Sequence, residues 1–125
     1  MNISIVIPIF NEIESLSILV DELNVNLEKF DSWEIIFIDD GSSDGSTEFL
    51  LDLCSANSDY KLIQFHRNYG KSAALSEGFK AASGDYVLTM DADLQDDPSE
   101  IKNLVNKLDK GWDLVSGWKK TRLDP

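Results

Sequence analysis

Residues 3–27 read ISIVIPIFNEIESLSILVDELNVNL, and the change of period inside this stretch decides the fold. From Ile3 to Phe10 the residues are almost all apolar and mostly β-branched, the pattern of a strand buried on both faces. Beyond it the apolar positions fall at Ile13, Leu16, Val20, Leu23 and Leu27, at spacings of three and four. That is one stripe of an amphipathic helix. A two-sided strand that gives way at once to a one-sided helix is the opening of a βαβ unit.

The alternation continues. Trp33 to Ile38 reads as a second strand, Thr47 to Ala56 as a second helix and Leu62 to Phe65 as a third strand. Ser72 to Ala82 is predicted to be a third helix, with Leu75, Phe79 and Ala82 on its inward face and Gly84 beyond its end. Tyr86 to Met90 is a fourth strand. The fourth helix carries its own punctuation: Asp97 as N-cap, Pro98 in the first helical position and Glu100 where a capping box needs it. Its stripe is Ile101, Leu104, Val105 and Leu108, with Gly111 as terminator, and Leu114 to Ser116 reads as a fifth strand. No repeat, low-complexity tract or linker interrupts the pattern, so residues 1–125 read as one α/β domain. Right-handed crossovers then give a mostly parallel sheet with helices on both faces, a three-layer α/β/α arrangement.

Composition narrows the function classes. Hydrophobic residues make up 42% of the 125, enough for a core. Eleven basic against twenty-three acidic residues give a net charge of −12, which repels nucleic acid and anionic lipid and suits a protein that collects divalent cations. Cys54 stands alone, so no internal disulfide forms, and its setting among Phe49, Leu50, Leu51 and Leu53 reads as a small buried apolar residue. With no signal peptide and no apolar run near the ~20 residues of a membrane span, the expected location is the cytoplasm.

In parallel sheets, ligands bind beyond the carboxyl ends of the strands. Polar residues cluster at each of those ends: Asn11 and Glu12, Asp39 and Asp40, His66 to Asn68, Asp91 to Gln95, and Lys119 with Lys120. Asp91-Ala92-Asp93 can aim two carboxylates at one hard cation, with Gln95 as a neutral oxygen ligand. The plain alternative is a loop whose aspartates cap backbone groups. Asp39-Asp40-Gly41-Ser42 is a strong turn, and Asp40 can at the same time accept from a base or ribose. Arg67 and Lys71, before a helix N-terminus, can meet a diphosphate. Gly70-Lys71-Ser72 is similar to the end of a Walker loop, but the earlier glycine is absent. His66, the only histidine, reads as structural.

Taken together, Ile7-Pro8-Ile9-Phe10-Asn11-Glu12, Asp39 to Ser42, Arg67 to Ser72 and Asp91 to Pro98 resemble glycosyltransferase family 2. Within it, the resemblance is to the polyprenyl-phosphate glycosyltransferases, the group of dolichol-phosphate mannose synthase and bactoprenol glucosyltransferase. It runs through essentially the whole chain. It implies a GT-A, Rossmann-like fold and inverting, metal-dependent transfer of a sugar from a UDP- or GDP-sugar to a polyprenyl phosphate.

By the same resemblance Pro8, Phe10 and Glu12 line the base and ribose pocket, beside Ile38 and Asp40. Asp91, Asp93 and Gln95 hold Mg2+ or Mn2+, and Ala92, Lys71 and Lys119 lie along the nucleotide sugar. Relatives often carry arginine at Lys119, and the replacement keeps charge but loses bidentate geometry. Relatives also continue into an acceptor-binding region, so the chain is expected to be the donor-binding half, acting in its full-length form at the cytoplasmic face of a membrane. No residue is assigned as catalytic base. The sugar, the nucleobase and any homo-oligomer stay undetermined. Three alternatives stay open: a phosphorelay receiver, which needs an acidic pair where this chain has Asn11-Glu12; a nicotinamide dehydrogenase, which needs a glycine-rich first turn; and a donor-binding module without catalysis.

Overall fold

A computed structural model of the chain describes residues 2–94 and 97–109. Its elements are β1 (Asn2–Ile9), α1 (Ile13–Leu27), β2 (Ser32–Asp40), α2 (Ser46–Ala56), β3 (Tyr60–Phe65), α3 (Lys71–Ala81), β4 (Tyr86–Thr89), a 3-10 turn (Pro98–Glu100) and α4 (Ile101–Asp109). The predicted fifth strand and Gly111 lie outside the described residues.

All pairings are parallel, and the strands lie side by side as β3-β2-β1-β4. β1 runs against β2 from Asn2–Ser32 to Ile9–Asp39, and against β4 from Ile3–Tyr86 to Val6–Thr89. This is the 3-2-1-4 order of nucleotide-binding α/β sheets. A receiver sheet instead sets its third strand beside its first. The neighbours of β1 here are β2 and β4, so the receiver alternative fails on topology.

Pleating divides the strands between two cores. Ile3, Ile5, Ile7 and Ile9 of β1 and Ile35 and Phe37 of β2 pack with α1, α2 and α4 in the larger one. Val6, Ile36 and Ile38, from the alternate positions, pack against Ala74 of α3 in the smaller. The expected stripe of α1 is buried from Leu16 to Leu27, with Leu19 added. In α3 the stripe departs from expectation at one position, since Leu75 and Ala82 pack, partly buried, against the smaller core and Phe79 does not. The buried positions of the helix are Ala74 and Gly78, whereas Phe79 is 39% exposed. A β-carbon on Gly78 would lie 2.3 Å from Val6 Cγ1 and 2.8 Å from Ile38 Cδ1. The helix backbone itself rests on the sheet, which a large inward side chain would prevent.

At the fourth helix, Asp97 caps as expected, accepting from the Ser99 N–H at 2.9 Å with Pro98 at the start. The first turn is 3-10, and the α-helix proper begins at Ile101. Cys54 is half-buried against the larger core, and burial pushes its thiol pKa up, toward an inert neutral form. No helix among the described residues is long and apolar enough to cross a membrane.

The amino-terminal edge of the sheet is held by one acid. Glu34 of β2 is 6% exposed and accepts from Ser4 Oγ at 2.6 Å, Lys61 Nζ at 2.5 Å, and Ser83 N and Oγ at 2.7 and 3.0 Å. Burial alone pushes its carboxyl pKa up, but these donors together outweigh it and hold it at about 2. A buried carboxylate so fully satisfied ties β1, β2, β3 and the turn before β4 together, far from the carboxyl ends where ligands bind.

Candidate functional site

Connections leave β1 toward β2 on one side, while β4 returns on the other. The crevice between β1 and β4 is therefore the switch point at which such sheets bind ligands. An open cavity of about 380 Å³ lies there. Pro8, Phe10 and Glu12 come to it from the end of β1, and Asp91, Ala92 and Asp93 from beyond β4. Asp40 closes one side, with Asn68, Gly70 and Lys71 from the segment leading into α3.

The first turn of α1 leaves backbone N–H groups that the helix cannot satisfy itself, and Glu12 at its N-cap makes no side-chain cap bond. The loop after β2 supplies the acceptors. Ser42 Oγ accepts from Asn11 N at 2.9 Å, Ser46 Oγ from Glu12 N at 3.0 Å, and Asp44 from Ile13 N at 3.1 Å. In return Asn11 Oδ1 accepts from Ser43 N at 2.8 Å. Asn11 itself adopts φ 54°, a conformation asparagine tolerates better than most residues. Capping α1 from another loop leaves the Glu12 side chain free to face the cavity. Ser15 of α1 donates to the Ala92 carbonyl at 2.6 Å and so fixes the Asp91–Asp93 segment to the same helix.

Asp39 and Asp40 divide the work of their loop. Asp39, fully buried, makes the turn by accepting from Ser42 N at 3.0 Å and from the Thr47 hydroxyl. Asp40 reaches across to the next loop, where its two oxygens accept from Tyr69 N at 2.7 Å and Gly70 N at 3.0 Å. Gly41, at φ +80°, makes the crossing possible: a β-carbon there would stand 2.5 Å from the Arg67 carbonyl carbon. Arg67 lies over the Tyr69 ring at 4.7 Å, and Tyr69 Oη lies 3.2 Å from His66 Nε2. These contacts stiffen the loop on its outer side. Of the two cations in this segment, Lys71 lines the cavity and Arg67 does not.

The floor is acidic. Burial raises the Glu12 carboxyl above its ordinary pKa, and the charges of Asp93, Asp91 and Asp44 push it the same way. Lys71 Nζ meets this charge, 2.8 Å from Asp91 Oδ1. Among the described residues no three His, Cys, Asp or Glu side chains converge on a metal position. Asp91 and Asp93 both line the cavity, and Mg2+ and Mn2+ sites are commonly built from one or two carboxylates with substrate phosphates completing the shell. Two carboxylates on one cavity are a donor set that would suit such a metal, and Lys71 is paired with one of them. Leu94, directly after the pair, adopts φ 68°, a conformation costly for a branched side chain and frequent beside functional segments.

Eight of the ten residues expected along a nucleotide sugar meet in this cavity: Pro8, Phe10, Glu12, Asp40, Lys71, Asp91, Ala92 and Asp93. Ile38 does not. Its side chain is wholly buried in the smaller core, beneath α3. Lys119 and Gln95 lie outside the described residues. Asn68 and Gly70, from the polar segment expected after the third strand, also line the cavity, and Gly70 donates its N–H to Asp40.

Comparison with known proteins gives concordant matches. Residues 4–123 match the family described as Glycosyl transferase family 2. The undecaprenyl-phosphate 4-deoxy-4-formamido-L-arabinose transferase of Salmonella choleraesuis is 44% identical over 124 residues, which is 98% of this chain and 38% of that protein. The chain therefore spans little more than a third of such relatives. Among solved structures, the glucosyl-3-phosphoglycerate synthase of Mycobacterium tuberculosis in complex with Mn2+, UDP and glucosyl-3-phosphoglycerate is 26% identical. Its TM-score is 0.67 over 86% of this chain and 39% of that one. A mannosyltransferase of Pyrobaculum calidifontis in complex with GDP-Man and Mn2+ shares the fold, with a TM-score of 0.76 at 23% identity over 91% of this chain and 33% of that one.

Proposed function

The chain belongs to glycosyl transferase family 2, and from that premise we propose that residues 1–125 form the donor-binding domain of an inverting, metal-dependent polyprenyl-phosphate glycosyltransferase. The observation that carries this reading is the joint lining of one switch-point cavity by Pro8 and Phe10, by Asp40, and by Lys71 with Asp91 and Asp93. Together they supply apolar surface, hydrogen-bond acceptors and charge, the chemistry that a base, a ribose and a diphosphate each require. The full-length protein acts where a water-soluble nucleotide sugar and a membrane lipid phosphate meet, at the cytoplasmic face.

In this reading Phe10, 47% exposed at the rim, offers its ring to the base. Asp40 is held rigid by Tyr69 N and Gly70 N and keeps acceptor capacity for a ribose hydroxyl. Asp91 and Asp93, with Gln95, would hold Mg2+ or Mn2+. When bound, that metal supplies Lewis-acid stabilisation of the negative charge that grows on the departing nucleoside diphosphate. Lys71 adds positive charge at the same end, a role the resemblance extends to Lys119. The phosphate acceptor is anionic before it reacts, which reduces the need for a base. Support for the acceptor class comes from the Salmonella transferase, and for nucleotide and metal from the Mycobacterium synthase holding UDP and Mn2+.

A thermal-shift screen tests the reading. UDP or GDP with Mn2+ is expected to raise Tm, since a ligand at 100 times its Kd adds about 2.7 kcal/mol of stability. Either component alone is expected to do much less. A shift by acetyl phosphate or beryllofluoride in place of nucleotides would overturn it.

A further inference from the structure

Resting on the donor-site reading above, we propose that Lys71 is a tethered counter-cation of the metal position. It neutralises Asp91 before metal binds, yields that carboxylate to the incoming divalent cation, and then turns to the diphosphate.

Three features of the pair carry this. Lys71 Nζ stands 2.8 Å from Asp91 Oδ1, on a carboxylate expected to face the metal. Lysine and metal would therefore meet at one carboxylate. The two partners differ in freedom: the Asp91 side chain is 17% exposed and fixed after β4, whereas that of Lys71 is 59% exposed. Lys71 is also the first residue of α3, whose position is set by Ala74 and Gly78 against the sheet. Its backbone is thereby held at the cavity wall while its flexible four-carbon stem can move the ammonium from one anion to another.

The electrostatics give the exchange a direction. With Glu12, Asp91 and Asp93 around one cavity, leaving Asp91 without a cation costs free energy, and the lysine charge offsets it. An ion pair this exposed is weak enough to be displaced by a dication, whose charge is double and whose bonds to oxygen are shorter. Once the metal takes Asp91, lysine and metal repel, and a diphosphate is the anion within reach that relieves the repulsion. Metal and nucleotide binding then become cooperative through Lys71, each favouring the arrangement the other needs.

Lys71→Met and Lys71→Arg test this in the full 125-residue chain. Mn2+ binding without nucleotide is followed by the loss of the free-ion EPR signal, and UDP binding at saturating Mn2+ by calorimetry. Lys71→Met is expected to bind Mn2+ alone about two- to five-fold more tightly, the worth of an exposed ion pair. The same variant should bind UDP about ten-fold more weakly, the worth of a charged hydrogen bond. Lys71→Arg, which keeps the charge, should stay near wild type in both. Wild-type Mn2+ affinity in Lys71→Met would overturn the proposal, even with UDP binding weakened, because the lysine would then touch the nucleotide without guarding the metal position. If neither wild type nor variant takes up Mn2+ with or without UDP, the metal-dependent reading has failed and the lysine proposal falls with it.

Discussion

Gly78 of α3 lies so close to Val6 of β1 that a β-carbon added to the glycine would stand 2.3 Å from Val6 Cγ1. The contact sets the height of the whole helix above the sheet, and so the reach of Lys71 at its first turn. Gly78→Ala should therefore destabilise the domain by about 1–3 kcal/mol, the usual cost of overpacking, although alanine is the better helix former. Urea unfolding checks it. Val6→Ala in the same background should recover part of the loss, giving a double mutant less damaged than the two single costs added. Strict additivity would mean that the helix moves away freely and that the contact sets nothing.

Gly78 also marks the limit of what the sequence discloses. Period and capping gave the four described strands and four helices, because burial on one or two faces writes itself into apolar spacing. Glu12, Asp40, Asn68, Asp91 and Asp93 followed from the rule that chemistry collects at strand ends, while Pro8, Phe10 and Ala92 came from the family resemblance. The inward face of α3 followed only in part: Leu75 and Ala82 pack against the smaller core, but the apolar stripe also selects Phe79 and passes over Ala74 and Gly78, the positions buried against the sheet. Ile38 was placed beside the site by the family resemblance alone, but pleating turns its side chain into the smaller core. Partnerships such as Asp40 with Tyr69 and Gly70, about 30 residues apart, are set by strand order, which periodicity does not encode.

Glu34 makes stability depend on acid. Its carboxyl pKa is held at about 2 in the folded chain, below the ordinary 4.5, so the folded state binds this proton less readily than the unfolded chain. The stabilisation is then fully present above about pH 4.5 and is lost as pH falls toward 2. Glu34→Gln should lower unfolding free energy by roughly 2–3 kcal/mol at pH 7. The gap between variant and wild type should close as pH is lowered through that window. A gap that stays constant from pH 7 to pH 2.5 would remove Glu34 as its source.

Asp40→Asn probes the loop clamp. An asparagine offers one acceptor where Asp40 uses two, and turns an NH2 toward a backbone N–H. The expected cost is about 1–3 kcal/mol of stability. Faster hydrogen exchange should appear at the Tyr69 and Gly70 amides, with weaker nucleotide binding. Wild-type exchange at both amides would show that the loop holds its shape without the carboxylate.

Asp91→Asn and Asp93→Asn separate a metal position from a capped loop. Both residues line the cavity, and both add negative charge at Glu12. Losing one charge from an acidic cluster relieves repulsion, and Asp91→Asn also gives up the exposed ion pair with Lys71. These effects oppose each other, so stability should move by no more than about 0.5 kcal/mol. Binding should respond far more. An amide oxygen carries no net charge and is a poor ligand for a hard dication, so each variant should lose most of the Mn2+-dependent gain in UDP affinity while keeping the metal-independent remainder. Calorimetry with and without Mn2+ measures both quantities on one sample. If the aspartates only cap backbone groups, the pattern reverses: stability falls with the lost hydrogen bonds, and the Mn2+-dependent gain in UDP affinity stays at its wild-type size.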